Sequence, residues 1–447
     1  MLPRLSPHVH IEIVADRDHQ NIFFVLDSDK PSWVFVNQDG LEILRLCNGT
    51  NTVEGISRAV LEAHGKLDYE ECLQVVSSFI DSMERSRMLS DRPDGDLSAN
   101  EFRGLALEIT GRCNLRCVHC YLAAGEPAEG ELTIEEIKEV LRSAGDLGGV
   151  SVAIGGGEPL LRGDCLQVIE YALSQGLLVS LGTNGTLIDV DVAKALSEMG
   201  IKVQVSLDGA TAQTHDRIRG IGSFERTVKG VDHLIEAGMA KDVVIAFTPM
   251  RPNVHEVPEV VDFARGRGIP VVQFPPLTSS GRAKARWQEL KLTKSEMLWF
   301  WDFVSRKAAD LKGSMDLLAD CFSIDIHRAG IPYRCSIGTQ YRIAPDGTAY
   351  PCQCFHYGSE FALGNVKEKS LEAIVRGQRV REIKETCFQR PLRIAECREC
   401  RWRNFCGAGC MGNAFESTGT ILSAESCEVR KRWVERLFEA KVSEVSA

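Results

Sequence analysis

The chain has 447 residues, 44% of them hydrophobic and 26% charged, which places it among ordinary globular proteins with room for about two to four folded units. No stretch reaches the roughly 18 consecutive apolar residues that a membrane helix needs, and a formal net charge of −10 disfavours nucleic acid, whose phosphates call for clustered positive charge. The opening MLPRLSPHVHIEIVADRDHQ lacks a basic segment followed by an apolar one, so a cytoplasmic location is expected, where sixteen cysteines point to metal ligation rather than disulfides.

Apolar runs at 11–14, 22–26 and 33–36 predict three strands, and amphipathic segments at 38–47, 53–64 and 68–85 predict three helices. They describe a small α+β, winged-helix-like domain over residues 1–90. DNA binding is disfavoured there, because residues 1–91 hold 8 Lys or Arg against 15 Asp or Glu. An exposed strand edge in such a unit could instead accept an extended peptide as an added strand. The Pro-, Gly- and Asp-containing stretch SDRPDGDLSANEFR offers little to bury and reads as a linker, assigned to 91–103.

Strand-like runs at 105–110, 150–155, 177–182, 202–207, 243–247 and 270–274 alternate with longer helical patterns. Such βα alternation predicts an α/β fold, a partial (β/α)6 barrel over 104–315, with function gathered beyond the C-terminal strand ends. The loop after the first strand reads GRCNLRCVHCY, with Cys113, Cys117 and Cys120. Three thiolates can hold three irons of a [4Fe–4S] cube and leave the fourth open; by spacing alone, zinc is an equal alternative. The second strand ends in Gly155-Gly156-Gly157-Glu158-Pro159, where glycines allow close backbone approach and a carboxylate can accept from an ammonium. Asn184 follows the third strand and Asp208 the fourth. A turn-capping role explains either as well as ligand contact does.

From 316 to 447 the predicted order is a cysteine-rich region with a C-terminal helix. It contains Cys335, Gly347 and Cys352, then Cys397-x2-Cys400-x5-Cys406-x3-Cys410, then Cys427. Metal must supply cohesion that so thin a core cannot, with structural zinc as the competing reading because Cys-x2-Cys is also zinc-ribbon spacing. Cys47, Cys72, Cys165 and Cys387 lie outside every motif and read as ordinary thiols.

CNLRCVHCY followed by GGGEP resembles the radical S-adenosylmethionine superfamily, and the seven downstream cysteines resemble its SPASM extension. LDSDKPSWVFVNQDGLEILRLCNGTNTVEGIS, with the helix ending at SRML, resembles the PqqD-like precursor-recognition domain of ribosomal peptide pathways. The resemblance implies that the open iron chelates the methionyl amino and carboxylate groups of S-adenosylmethionine, whose reductive cleavage yields a 5′-deoxyadenosyl radical. By the same resemblance Gly156, Gly157 and Glu158 hold the methionyl amine. Ser206, in SLDG, and Arg219, in HDRIRGIGSF, contact its carboxylate or ribose, with Tyr121, Asn184 and Asp208 as further cofactor contacts. Two auxiliary [4Fe–4S] clusters are implied, for three in all. Cys397, Cys400, Cys406 and Cys427 would hold the second, and Cys335, Cys352 and Cys410 the first. Its fourth ligand would come from Cys321 or Cys354, or be left open. The implied partners are a precursor peptide bound through its leader by residues 1–90 and a flavodoxin- or ferredoxin-type electron donor. The expected activity is peptide maturation by thioether cross-linking. The alternatives are carbon–carbon cross-linking, mycofactocin-type decarboxylation or sulfatase-maturase-like chemistry.

Overall fold

The computed structural model describes residues 2–6, 9–17, 20–27, 32–65, 67–86, 88–89, 102–319, 335, 337–356 and 360–446. Near the amino terminus β1 (Val9–Arg17), β2 (Gln20–Asp27) and β3 (Ser32–Val36) form an antiparallel meander in that order, leaving β1 and β3 as edges. Strand alternation sends successive β2 side chains to opposite faces. Phe23 and Val25 face the helices Gln38–Leu46, Val53–His64 and Tyr69–Arg85, joining Leu44, Ile56 and Val76 in a local core. Side-chain caps at Asn37, Thr52 and Asp68 satisfy the first N–H groups of these helices and fix where they start.

The other face of β2 is apolar too. Phe24 and Leu26 pack with Trp402, Phe405, Val434 and Phe438 from the far end of the chain. The run IFFVL therefore fills both faces, as a strand buried on two sides does.

Among the described residues the large sheet has ten strands. β4 (Gly104–Glu108), β5 (Ser151–Gly155), β6 (Leu178–Thr183), β7 (Lys202–Ser206), β8 (Val243–Ala246) and β9 (Val271–Gln273) correspond to the six predicted strands, each parallel to the next. A seventh parallel strand, β10 (Asp316–Leu318), extends this row beyond the expected limit at 315. Three residues with one buried leucine, Leu317, leave no periodicity to read. On the opposite edge β11 (Gln340–Ile343) pairs parallel to β4, and β12 (Thr348–Tyr350) and β13 (Gly364–Asn365) continue antiparallel. The cysteine-rich region thus grows out of the barrel sheet rather than standing beside it. Leu107, Ile154, Leu181, Val203, Ile245 and Val272 are buried in the shared core. Among the described residues no helix is long and apolar enough to cross a membrane.

Candidate functional site

β4 ends at Glu108, and the chain then closes a tight loop. The Gly125 N–H donates to the Gly111 carbonyl at 2.9 Å and the Cys113 N–H to the Gly125 carbonyl at 3.0 Å. Cys113, Cys117 and Cys120 come within electrostatic reach of one another on this loop. Burial pushes the Cys117 thiol up to about 11, and the nearby Arg219 guanidinium opposes it. Arg219 Nη1 lies 3.9 Å from Cys117 Sγ, and the Leu115 N–H donates to Cys113 Sγ at 3.4 Å. Buried thiols facing donors and a cation suit metal ligation, because the metal replaces the protons that burial would otherwise retain.

The exit of β5 is laid directly against this loop. A Cβ on Gly156, whose φ is +133°, would lie 2.4 Å from the Thr110 carbonyl oxygen, and one on Gly157 would lie 2.1 Å from that of Arg112. The Gly157 and Glu158 N–H groups each donate at 2.7 Å, to Thr110 and Arg112. The Glu158 carboxylate, expected at the methionyl amine, is fully buried. Oε1 accepts from the Thr183 hydroxyl at 2.7 Å and the Leu160 N–H at 3.2 Å, and Oε2 from the Asn184 N–H at 2.8 Å. Asn184 is similarly engaged, donating to Asn114 Oδ1 at 2.8 Å and accepting from the Thr186 N–H at 2.9 Å, so it ties the third strand's exit to the thiol loop.

Asp208, expected as a cofactor contact, is also held by protein groups. It is buried, with Oδ2 2.6 Å from Arg219 Nε and 3.2 Å from His119 Nε2, while Oδ1 accepts from the Thr248 N–H at 2.8 Å. Burial alone would raise its pKa, but Arg219 and His119 outweigh this and hold it below the usual range. Asp208 therefore aims Arg219 at Cys117. Ser206 is half-buried at the end of β7. Tyr121 donates its hydroxyl to Glu108 Oε1 at 3.2 Å, and Glu108 pairs with the buried Arg342 of β11 at 2.8 and 2.9 Å.

Sequence reasoning missed Arg282. Its Nε donates to the Cys117 carbonyl at 2.8 Å, its Nη1 to Ala124 at 2.8 Å and its N–H to Cys120 at 3.0 Å, clamping the loop from the element after β9. The available signal was its position: SSGR follows the sixth strand, where a barrel gathers function.

Two further thiol groups form in the C-terminal region. Cys397, Cys400, Cys406 and Cys427 line one small cavity with Trp402 and Lys431. Cys335, Cys352 and Cys410 lie within reach of one another, and Cys410 is hydrogen-bonded to Cys354. Cys387, read from sequence as an ordinary thiol, donates to Cys335, a bond that holds Cys335 down to about 7 and pushes Cys387 up. Cys321 lies outside the described residues. Arg390 is completely buried between the two groups. It donates to the carbonyls of Ile421, Gly409, Ser423 and Ala408 at 2.7 to 3.4 Å and places its charge near Cys335, Cys387 and Cys397. Among the described residues no three His, Cys, Asp or Glu side chains converge on a point as a single metal ion requires; a cubane, whose thiolates bond to separate irons, does not need that convergence. All-thiol sets, one lining a cavity and one cradled by glycines, fit iron–sulfur groups.

A parallel half-barrel whose first strand runs into three clustered thiols beside a glycine-lined turn is the framework of an iron–sulfur radical enzyme. Family models match in three places: "Radical SAM superfamily" at 107–264, the SPASM "Iron-sulfur cluster-binding domain" at 335–401 and "Coenzyme PQQ synthesis protein D (PqqD)" at 23–89. The chain belongs to the radical SAM superfamily, as an enzyme that joins a PqqD domain to a SPASM domain and uses S-adenosylmethionine and iron–sulfur clusters. It is 31% identical to mycofactocin maturase MftC of Mycobacterium tuberculosis (strain CDC 1551 / Oshkosh), over 70% of this chain and 78% of that one. It is 30% identical to the AdoMet-dependent heme synthase of Methanosarcina barkeri (strain Fusaro / DSM 804), over 73% and 96%. In fold it is similar to Streptococcus suis SuiB bound to S-adenosylmethionine, with TM-score 0.60 and 16% identity over 95% of this chain and 99% of the other. SuiB bound to its precursor peptide SuiA gives 0.58 and 16% over the same shares.

Proposed function

We propose that this enzyme matures a ribosomally made precursor peptide, holding the leader on residues 1–90 and modifying the core at the C-terminal ends of the parallel strands. The observation that carries this reading is the aromatic seam between the N-terminal sheet and the cysteine-rich region, where Phe438 lies 5.0 Å from Phe24, 5.4 Å from Trp33 and 5.1 Å from Trp402. It holds an open-edged sheet at a fixed station relative to the thiol sites, and β3 offers that edge to an added strand. The full-length likeness in fold to SuiB, seen with its precursor peptide, supports the same reading.

S-adenosylmethionine bound at the Cys113, Cys117 and Cys120 cluster would supply a 5′-deoxyadenosyl radical able to take a hydrogen atom from the peptide. Gly156, Gly157 and Glu158 would receive the methionyl amine. Arg219, steered by Asp208, would meet the carboxylate beside Ser206, while Asn184 and Tyr121 brace the loop. Cys397, Cys400, Cys406 and Cys427 would hold one auxiliary cluster and Cys335, Cys352 and Cys410 another, for three in all, reduced by a flavodoxin- or ferredoxin-type donor. Functional units at 1–90, 104–315 and 316–447 follow, with the short β10 bringing the barrel sheet to 318.

Thioether formation is the first choice of product. Mycofactocin-type decarboxylation is the second, favoured by the 31% identity to a mycofactocin maturase. A porphyrin substrate would leave residues 1–90 without a role. The test is anaerobic incubation with reductant, S-adenosylmethionine and a cysteine-containing precursor encoded beside this chain. Loss of two hydrogens per cross-link supports the thioether, and loss of a terminal carboxyl as carbon dioxide supports the second reading. Cofactor cleavage with an unaltered peptide mass, and no change on deleting residues 1–90, would sink both.

A further inference from the structure

The bland account of Cys387 is a small apolar residue on the buried face of the helix Gln378–Arg393, where Val380, Ile383, Cys387 and Arg390 recur at helical spacing. Two other buried cysteines show what that account looks like. Cys47 donates to the Ile43 carbonyl at 3.2 Å and Cys72 to the Ser57 carbonyl at 3.3 Å, both ordinary thiol-to-backbone bonds. Cys387 behaves differently: its hydrogen-bond partner is the sulfur of Cys335. It is 6% exposed and shares one apolar compartment with Cys335 and Cys352. Cys335 and Cys352 are in turn within reach of Cys410, which is also hydrogen-bonded to Cys354. Cys335, Cys352, Cys387 and Cys410 thus belong to one connected set, with Cys354 joined to it through Cys410, drawn from β11's approach, β12's exit, a helix and the turn before the helix Met411–Thr418.

We propose that Cys387 supplies the fourth thiolate of the first auxiliary cluster, with Cys335, Cys352 and Cys410 as the other three. The inference rests on the iron–sulfur reading of that site given above, and not on which peptide is modified. Cys354 is the nearest competitor. Its sulfur bonds Cys410, but its backbone is wedged against the Met411–Thr418 helix, where a Cβ on Gly412 would lie 2.4 Å from the Cys354 carbonyl oxygen, whereas Cys387 bonds Cys335 and lies within reach of Cys352. A buried thiolate also needs a compensating charge, and Arg390, one turn beyond Cys387, provides it beside both Cys335 and Cys387. With four protein thiolates every iron is closed. The cluster then has no vacant position for a substrate thiol, which leaves it electron transfer as its task.

The test uses full-length protein carrying Cys113→Ala, Cys117→Ala and Cys120→Ala, so that only auxiliary clusters contribute, reconstituted anaerobically with 57Fe and no peptide. Iron content, Mössbauer spectra and the electron paramagnetic resonance of the reduced protein are compared with and without added cyanide, a ligand for an open iron. Cyanide should leave this parent and its Cys354→Ala and Cys321→Ala variants unchanged. Adding Cys387→Ala should produce one cyanide-sensitive iron site or loss of one iron. Cys387→Ser, which keeps the volume and offers an oxygen, should retain iron with shifted resonance, and it serves if the alanine variant fails to fold. Unchanged spectra in a folded Cys387 variant, or a cyanide response arising from Cys354→Ala or Cys321→Ala instead, would overturn the assignment. A parent that binds no auxiliary iron would overturn the cluster reading beneath it. An inert peptide in the maturation assay bears on neither.

Discussion

At Gly157 the side chain that is absent matters more than those present. The Arg112 carbonyl oxygen, 2.1 Å from where a Cβ would sit, is already fixed because it accepts the Glu158 N–H at 2.7 Å. It cannot yield without breaking the contact that seats the thiol loop. Gly157→Ala is therefore expected to cost roughly 1–3 kcal/mol of overpacking strain and to lower iron occupancy at Cys113, Cys117 and Cys120 selectively. Gly163→Ala, where a Cβ would meet nothing within 4 Å, is the control. Equal iron loading and equal thermal midpoints in the two variants would contradict this. Sequence made the glycines and cysteines of this site legible, since both announce themselves by motif. The Glu158 carboxylate and Asp208 were legible as positions, but their protein partners were not. Whether a carboxylate faces a ligand or is filled by Thr183, Asn184 or Arg219 depends on residues brought from other loops, and one sequence carries no sign of that pairing.

Among the elements, the helix Gln378–Arg393 is the one whose importance sequence hid. It holds no motif and has a proline at 391, yet its buried face carries Cys387 and Arg390 into the space between the two downstream thiol groups. Arg390 acts there as a clasp, since its fork reaches carbonyls at 408, 409, 421 and 423, on both sides of the helix Met411–Thr418. Removing it leaves buried carbonyls unpaired, at about 1–3 kcal/mol for each group stranded. Arg390→Met should therefore speed hydrogen exchange through 406–427 and reduce the iron held by the two downstream thiol groups. Arg390→Lys should recover only part of this, because a lysine keeps the charge but not the planar fork. Full recovery by lysine would mean that charge alone matters. The same principle of legibility applies to strands: the six long apolar runs of the barrel were readable, whereas β10 and β11 are too short to carry a period and are defined by pairing with β9 and β4.

Across the whole molecule, Phe438 joins regions more than 400 residues apart in sequence. Its ring touches Phe24 and Trp33 of the N-terminal sheet, stacks on Trp402 at 5.1 Å and meets Phe405 edge-on at 5.6 Å. Trp402 also lines the cavity of Cys397, Cys400, Cys406 and Cys427, so the N-terminal sheet and that thiol site share a wall. An Arg401–Glu12 ion pair borders the seam, but being solvent-facing it adds at most about 1 kcal/mol; the aromatic rings carry the attachment. Truncating a buried phenylalanine costs roughly 3–5 kcal/mol, and here the loss falls on an interface. The N-terminal domain keeps its separate core of Val25, Leu44, Ile56 and Val76, so Phe438→Ala should leave it folded and able to bind a leader peptide. What should change is its tether: amide exchange in β2 and β3 should quicken, proteolysis between 91 and 103 should accelerate, and peptide modification should fall relative to cofactor cleavage. If exchange and cleavage match the parent while modification still falls, the seam is not what couples recognition to chemistry, and the defect must lie at the Trp402 wall of the thiol cavity itself.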